Sequence, residues 1–486
     1  MAAEGPTPIL RAIDESPITF RYWNLAAVIL IGTALEFFDF FIIGFIISIV
    51  APEWNLTFGA TATVLYAGGV GAIVGSFLWG WLGHRFGRRV PFIVGILTFS
   101  LGSGAIALAP VGAVWYLALL RFIVGAGVGG MITISLTAMV ELTPTKHRTY
   151  LAGFATVGFI PLGTLLAASL SSALGPIIGW RGLAAIGAIP ALLAIWAWLV
   201  VPESPRWLIN RGRVEQARRV VAWLLKRPEE SMSLDVSSDR QSPETAQPPE
   251  SINYGALHQY HRSFWFTVLA WLGATTATYG ITLWGPTIFS LVLGVAPAQA
   301  ATFFIYVTLG GFVGRILFSL LGHWIGRRAA GVLMGFGGAA LLFVATLTEQ
   351  ATIGAVSLFV VAFVIMYLFV DGGFANLAPT SSEVFPTRLR AHGTGLAEVV
   401  NGVGKILGPL GLAIIAGTSN IVNPEATREA ITPALYFLAA FSVMTGLGFL
   451  LIPETRGKTL EAVEEELEAQ RRPAPAGTPS ESDSAK

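Results

Sequence analysis

The chain has 486 residues, 54% of them hydrophobic and only 12% charged, with a mean hydropathy of +0.67 and a net charge of +1. Soluble domains carry about 25% charged residues, so this is the composition of a polytopic membrane protein. The near-zero net charge gives nothing to suggest nucleic acid, and the absence of cysteine excludes disulfides, thiolate catalysis and cysteine-based metal sites.

Apolar stretches fall at about 22–50, 59–83, 90–109, 112–141, 149–174, 182–201, 263–291, 298–322, 329–347, 351–380, 391–418 and 432–452. Each is long enough for a helix across a bilayer, which takes roughly 20 residues. The expected fold is an all-α polytopic membrane protein of about twelve transmembrane helices in two six-helix halves. The first stretch, Tyr22–Val50, is too long for a signal-peptide core, and Pro52-Glu53 follows it in place of a small-residue cleavage site. The expected organisation is a segment 1–21, a bundle 22–201, a connecting region 202–262, a second bundle 263–453 and a tail 454–486. In the connecting region, 212–226 reads as an amphipathic helix with Val214, Ala217, Val221 and Leu224 on one face. The Pro- and Ser-rich stretch 227–251 reads as a disordered linker. The tail holds a short acidic helix over 460–469.

Alternate loops are basic. One set carries Arg85, Arg88 and Arg89, then Lys146 and Arg148, then Arg206 through Arg262, then Arg327 and Arg328, then Arg388 and Arg390. The positive-inside rule places that set and both termini in the cytoplasm.

Charges inside the spans mark candidate chemistry, because an ionised group facing lipid is costly and usually has a partner or a water-filled path. Glu36 and Asp39 lie within the first stretch, three residues apart and on one helix face. They read as a proton or substrate site, or as a polar contact between helices. Arg121 lies about 15 Å into span four, and Asp39 is its natural partner. Span eleven carries Glu398, Asn401 and Lys405 on one face, and span ten carries Asp371 at a comparable depth. Lys405 either pairs with Asp371 or serves as a handle for an anionic substrate, with Asn401 beside it. Arg315 lies about two turns from the end of span eight, where it snorkels or pairs with a gate acid. The glycines after Arg121 (Gly125, Gly127, Gly129, Gly130) read as packing glycines rather than a dinucleotide loop. No cofactor loop, zinc motif or Ser/His constellation stands out, so neither a cofactor nor enzymatic activity is expected.

An internal repeat supports two halves. The run Gly83-His84-Arg85-Phe86-Gly87-Arg88-Arg89 recurs as Gly322-His323-Trp324-Ile325-Gly326-Arg327-Arg328, an offset of 239 (84 to 323). Glu141-x-x-Pro144-Thr145-x-x-Arg148 recurs as Glu383-x-x-Pro386-Thr387-x-x-Arg390, and Pro202-Glu203-Ser204 as Pro453-Glu454-Thr455. Parallel halves of this kind build a rocking transporter with its site near the midplane.

These motifs resemble the major facilitator superfamily over about 22–460. Gly83–Arg89 looks like the family's loop between spans two and three, and Pro202–Trp207 and Pro453–Leu460 resemble the sugar-porter branch and its relatives. His84 and His323 depart from the family's usual Asp, which weakens an acid-based latch there and leaves Glu141, Glu203 and Glu383 to pair with loop arginines. The resemblance matches Asp39 and Arg121 to the acid and arginine of proton-coupled sugar porters. It also implies an inner gate built from the loops around Arg85, Arg88, Arg89, Arg327 and Arg328, and a functional monomer. Span seven lacks the amides of sugar porters. It offers Tyr279 and Trp284, a pattern closer to the aromatic-acid and metabolite symporters. The leading expectation is proton-coupled symport of a small organic acid anion in the cytoplasmic membrane. Asp39 and Glu36 would carry the proton, Arg121 would tune it, and Lys405, Asn401, Tyr279, Trp284, Asp371, Glu398 and Arg121 would contribute to the substrate site. A sugar or polyol transporter is the second reading, and a nutrient sensor on a transporter fold the third.

Overall fold

Eleven helical stretches are long and apolar enough to cross a membrane. One of them, Phe154–Val200, has 47 residues, which at 1.5 Å per residue is about 70 Å and thus two crossings. The turn between those crossings is at Gly179, whose φ of 63° interrupts the helix. The structure, a computed structural model, describes residues 7–234, 254–354, 356–386, 389–458 and 460–471. In chain order the spans are Phe20–Glu53, Phe58–Phe86, Arg89–Ile106 and Val114–Leu142, then five and six within Phe154–Val200, then His261–Leu293, Pro297–Trp324, Arg327–Leu347, Leu358–Glu383, Arg390–Ala416 and Pro424–Leu450. Helices dominate because lipid offers the backbone no hydrogen-bond partner, so each span must satisfy its own N–H and C=O groups.

Two ends differ from the sequence reading. Span twelve begins eight residues earlier than expected. The Asn423 side chain caps it by accepting from Ala426 N at 2.9 Å, and Pro424 opens the first turn, so capping extends a helix whose first turns are polar. Span ten begins later, at Leu358, because Thr352–Ile353 pairs with Val356–Ser357 in a small hairpin.

Span four breaks at Gly129-Gly130, where Gly130 has φ +86°. Just before the break, spans two and four approach so closely that a Cβ on Gly125 would lie 2.0 Å from the Gly68 carbonyl oxygen. That approach brings Gly68 against the Arg121 guanidinium.

The connecting region is more ordered than its composition suggests. Val214–Leu225 buries Ala217, Val221 and Leu224 and packs on Ile9–Asp14 and Pro205–Asn210. The stretch read as a disordered linker starts with structure: Met232–Ser233 pairs in parallel with Thr7–Pro8, and Met232 is buried. This pairing spans over two hundred residues and has no local signature. The remainder of that stretch, 235–251, lies outside the described residues. The tail helix runs Leu460–Arg471.

The two halves meet along spans one and seven, two and eleven, and five and eight. At the end opposite the termini, backbone bonds join them: Phe58 N donates to Asn420 O at 2.9 Å, Gly59 N to Thr418 O at 2.9 Å, and Val422 N to Leu56 O at 2.8 Å. Ser172 and Thr302 bond across the halves at 2.6 Å. Toward the termini the halves diverge around a vestibule of about 530 Å³ lined by Thr156, His323, Arg327 and Glu383 among others.

Candidate functional site

A central cavity of about 190 Å³ lies between the halves. The first half contributes Phe37, Phe41, Thr156 and Thr164, and the second contributes Trp271, Tyr279, Arg315, Asp371, Glu398, Asn401 and Lys405. Its walls carry the aromatic rings of Phe37, Phe41, Trp271, Tyr279 and Phe374, and its charges form two groups. On span eleven, the Lys405 ammonium lies 5.4 Å from the Tyr279 ring and 5.7 Å from the Phe40 ring, an arrangement in which the ring faces attract the cation. Glu36 and Glu398 are its acidic neighbours. Asn401 Nδ2 donates to Glu398 Oε2 at 3.1 Å. These polar residues share one face of span eleven, at three- and four-residue spacing, and that face looks into the cavity.

The second group joins spans eight and ten. Arg315 Nε donates to Asp371 Oδ2 at 2.8 Å and Nη2 to Asp371 Oδ1 at 2.9 Å, a two-point pair whose side chains are 7% and 9% exposed. The sequence alone sets Arg315 about two turns from the end of its span. The helix continues nine residues past it to Trp324, about 14 Å, and that length carries Arg315 up to the cavity wall. Of the two readings of Lys405, the pair with Asp371 does not form: Asp371 takes Arg315, and Lys405 faces Tyr279.

Behind the cavity wall lies a third group. Arg121 is fully buried and donates to two backbone carbonyls of span one, Asp39 O at 3.2 Å and Phe40 O at 2.9 Å. Its guanidinium also lies 5.4 Å from the Phe40 ring. The sequence pairs Arg121 with Asp39, and the structure brings the two residues together through the backbone rather than the carboxylate. Neither the Asp39 nor the Glu36 carboxylate has a hydrogen-bond partner among the described residues. Ser103 of span three neighbours Asp39. Phe40 and Phe41 pack on Tyr279 with centroids 5.5 and 5.4 Å apart, and this aromatic partition separates Asp39 and Arg121 from the cavity. Arg121, read from sequence as a substrate group as well, does not line the cavity.

Trp284 is also displaced from its expected place. It stacks on Phe58 at 5.5 Å and donates from Nε1 to Pro409 O at 3.1 Å, away from the cavity. Tyr279 and Trp284 are five residues apart, about 140° around an α-helix, so one span cannot show both to the same cavity. Sequence reasoning passed over Trp271, Phe37, Phe41 and Thr156. The first three are aromatics among many, and Thr156 acts through its backbone.

The repeated loops on the side of the termini form matched clamps. In the first half, Arg88 Nη2 lies 3.3 Å from Glu141 Oε1, and Glu203 Oε1 accepts from Arg88 N at 2.6 Å and Ser204 N at 2.9 Å. In the second, Arg327 Nη2 lies 2.6 Å from Glu383 Oε1, and Glu454 accepts from Arg327 N at 2.9 Å and Arg328 N at 3.1 Å. All three repeated motifs are therefore bonded together in each half, with the Gly-Arg-Arg run as the common partner. The glycine of that run is required: Gly87 (φ +90°) and Gly326 (φ +98°) would each set a Cβ 2.2 Å from the clamping glutamate. Burial pushes the Glu203 carboxyl above its usual range, against the pull of these N–H donors. Arg89 Nη2 donates to Trp198 O at 2.5 Å and Arg328 Nη2 to Leu450 O at 3.1 Å. Arg85 lies over the Trp81 ring at 5.3 Å. His84 is exposed and gives its carbonyl to Trp207 Nε1 and Arg211 Nη2, while His323 lines the vestibule. Arg390 opens span eleven, half-buried. Arg148 lies in the helix Thr145–Gly153, and its side chain is outside the described residues.

Two six-span halves around a charged central cavity define a membrane transporter of the major facilitator type, not an enzyme. The family model described as "Sugar (and other) transporter" matches residues 25–467, and the chain belongs to that family. The chain is 29% identical to the niacin transporter NiaP of Acinetobacter baylyi over 94% of its own length and 99% of the relative's. It is 27% identical to a gallate transporter of Pseudomonas putida, covering 84% of this chain and 88% of that one. The fold is similar to that of the E. coli xylose transporter XylE in its inward-open conformation, with a TM-score of 0.68, 20% identity, and coverage of 92% of this chain and 99% of the other.

Proposed function

We propose that this transporter is a proton-coupled symporter for a small carboxylate with an apolar or aromatic body, working by alternating access in a bacterial inner membrane. The observation that carries the reading is the arrangement across span one. Lys405 stands against aromatic rings in the cavity with Glu36 as an acidic neighbour, while Asp39 lies buried behind those rings, and neither acid's carboxylate has a hydrogen-bond partner among the described residues. A carboxylate on an aromatic body suits a cationic group set on aromatic walls. Asp39 is the proton carrier, Glu36 lies between it and the Lys405 group, and Arg121 is the counter-charge to the ionised form of Asp39. The niacin and gallate transporters among the relatives agree in substrate chemistry. The arginine-rich side is the cytoplasmic one, which puts both termini inside. The halves 22–201 and 263–453 rock against one another, each braced by its own clamp, and a single chain is the working unit.

A sugar or polyol is the second reading, favoured by the family description and the xylose-transporter fold. Proteoliposomes with an internal pH dye separate the two. Acidification driven by aromatic acids, beyond passive entry of the neutral acid and lost in Asp39→Asn, is the expected result. Acidification by hexoses alone would give the substrate to the second reading. Solute entry without proton movement would make Asp39 a structural acid.

A further inference from the structure

We propose that Arg315 is the bolt of a gate between the central cavity and the vestibule on the side of the termini, and that the Thr156 carbonyl is its socket. Arg315 Nη1 donates to Thr156 O at 2.7 Å. Arg315 belongs to span eight of the second half and Thr156 to span five of the first, so this bond crosses the plane along which the halves separate. Thr156 lines both the central cavity and the vestibule. The bond therefore stands where the two spaces adjoin.

The local sequence builds the socket. Residues Phe154–Phe159 form a π-helical turn, a feature that recurs at functional sites. Within it, the Ile160 N–H is turned to Ala155 O. The next donor in a π ladder would come from residue 161, which is proline and has no N–H. Pro161 thus offers the Thr156 carbonyl no N–H, and an arginine from the other half donates to it.

Asp371 makes the bolt reusable. A guanidinium carries five N–H donors. Asp371 takes two, on Nε and Nη2, and Thr156 takes one on Nη1. When the halves part and the Thr156 bond breaks, Arg315 keeps its carboxylate and is never an unpaired buried charge. Asp371 is accordingly a positioning residue, holding the bolt while it is drawn.

The test uses the absence of cysteine. A single cysteine at Ala378, on the cavity wall, reports access through its rate of reaction with a bulky, membrane-impermeant maleimide in nanodiscs. A second reporter at Ala298, in the cavity on the opposite side, detects general loosening. Arg315→Lys keeps a charge beside Asp371 but loses the fork that reaches Thr156. Pro161→Ala leaves the bolt untouched and restores an N–H to compete for the socket. Each is expected to speed labelling at residue 378 by roughly tenfold, the equivalent of one charge-assisted hydrogen bond, with labelling at residue 298 unchanged. Parent-like rates in both variants, or equal acceleration at both reporters, would overturn the proposal. The inference rests on the transporter reading but not on the solute: labelling is measured without substrate, so a failure of carboxylate symport leaves this outcome interpretable.

Discussion

The protein holds two buried Asp–Arg arrangements, and they are built in opposite ways. Asp371 and Arg315 meet carboxylate to guanidinium in a two-point pair on the cavity wall. Asp39 and Arg121 meet only through the backbone: the guanidinium donates to the carbonyls of Asp39 and Phe40 and not to the Asp39 carboxylate. A paired carboxylate is committed to holding its partner in place. One without a hydrogen bond is available to take up and give back a proton. The same two residue types are therefore held differently in the two halves, and the difference lies in which oxygen the arginine reaches.

The largest effect expected from this contrast is on stability. Asp371→Ala strands Arg315 without its counter-charge and should cost about 3–5 kcal/mol, read as a fall in the unfolding midpoint in detergent. The double change Asp371→Leu with Arg315→Met should recover most of that loss. Asp39→Asn, by contrast, should change stability by less than about 1 kcal/mol, because no bond between the carboxylate and the arginine is lost. Equal losses in Asp371→Ala and Asp39→Asn would erase the distinction. Next in size, Lys405→Met should weaken binding of an aromatic acid by roughly tenfold to a hundredfold, the worth of a charge-assisted contact, as titrated by tryptophan fluorescence. Trp284→Phe should leave that affinity unchanged, since Trp284 lies off the cavity. Gly125→Ala should cost about 1–3 kcal/mol. Its Cβ would collide with the Gly68 carbonyl and push Arg121 off span one, so its transport defect should resemble that of Arg121→Ala. The smallest effect is expected for Arg85→Ala, a surface group over Trp81, at less than about 0.5 kcal/mol with little change in transport.

Much of this site is legible in the chain because a charge in an apolar run stands out. Glu36, Asp39, Arg121 and Lys405 are each visible by that contrast alone. Pairing is not visible in the same way. Asp371 has two cations at plausible depth, Arg315 and Lys405, and only the rotation of spans eight and eleven decides between them. Trp284 shows a related failure: it shares a span and a pattern with Tyr279, yet helical rotation sends it to another face. The Thr156 socket is a backbone group, and side-chain identity does not report which carbonyl an arginine from the other half reaches, although Pro161 is a trace of it.

The sequence by itself determined the membrane class, the twelve spans, the two-fold repeat and the presence of buried charge, because each follows from local hydropathy or from a motif read twice. It also contained both halves of every clamp, Gly-Arg-Arg and Pro-Glu, without saying that they bind one another. Only the tertiary structure decided that Glu203 and Glu454 dock on the N–H groups after Gly87 and Gly326, that Arg315 reaches across to Thr156, and that an aromatic wall separates Asp39 from the cavity. These depend on which helix faces meet, a property of packing between distant segments that no local pattern encodes.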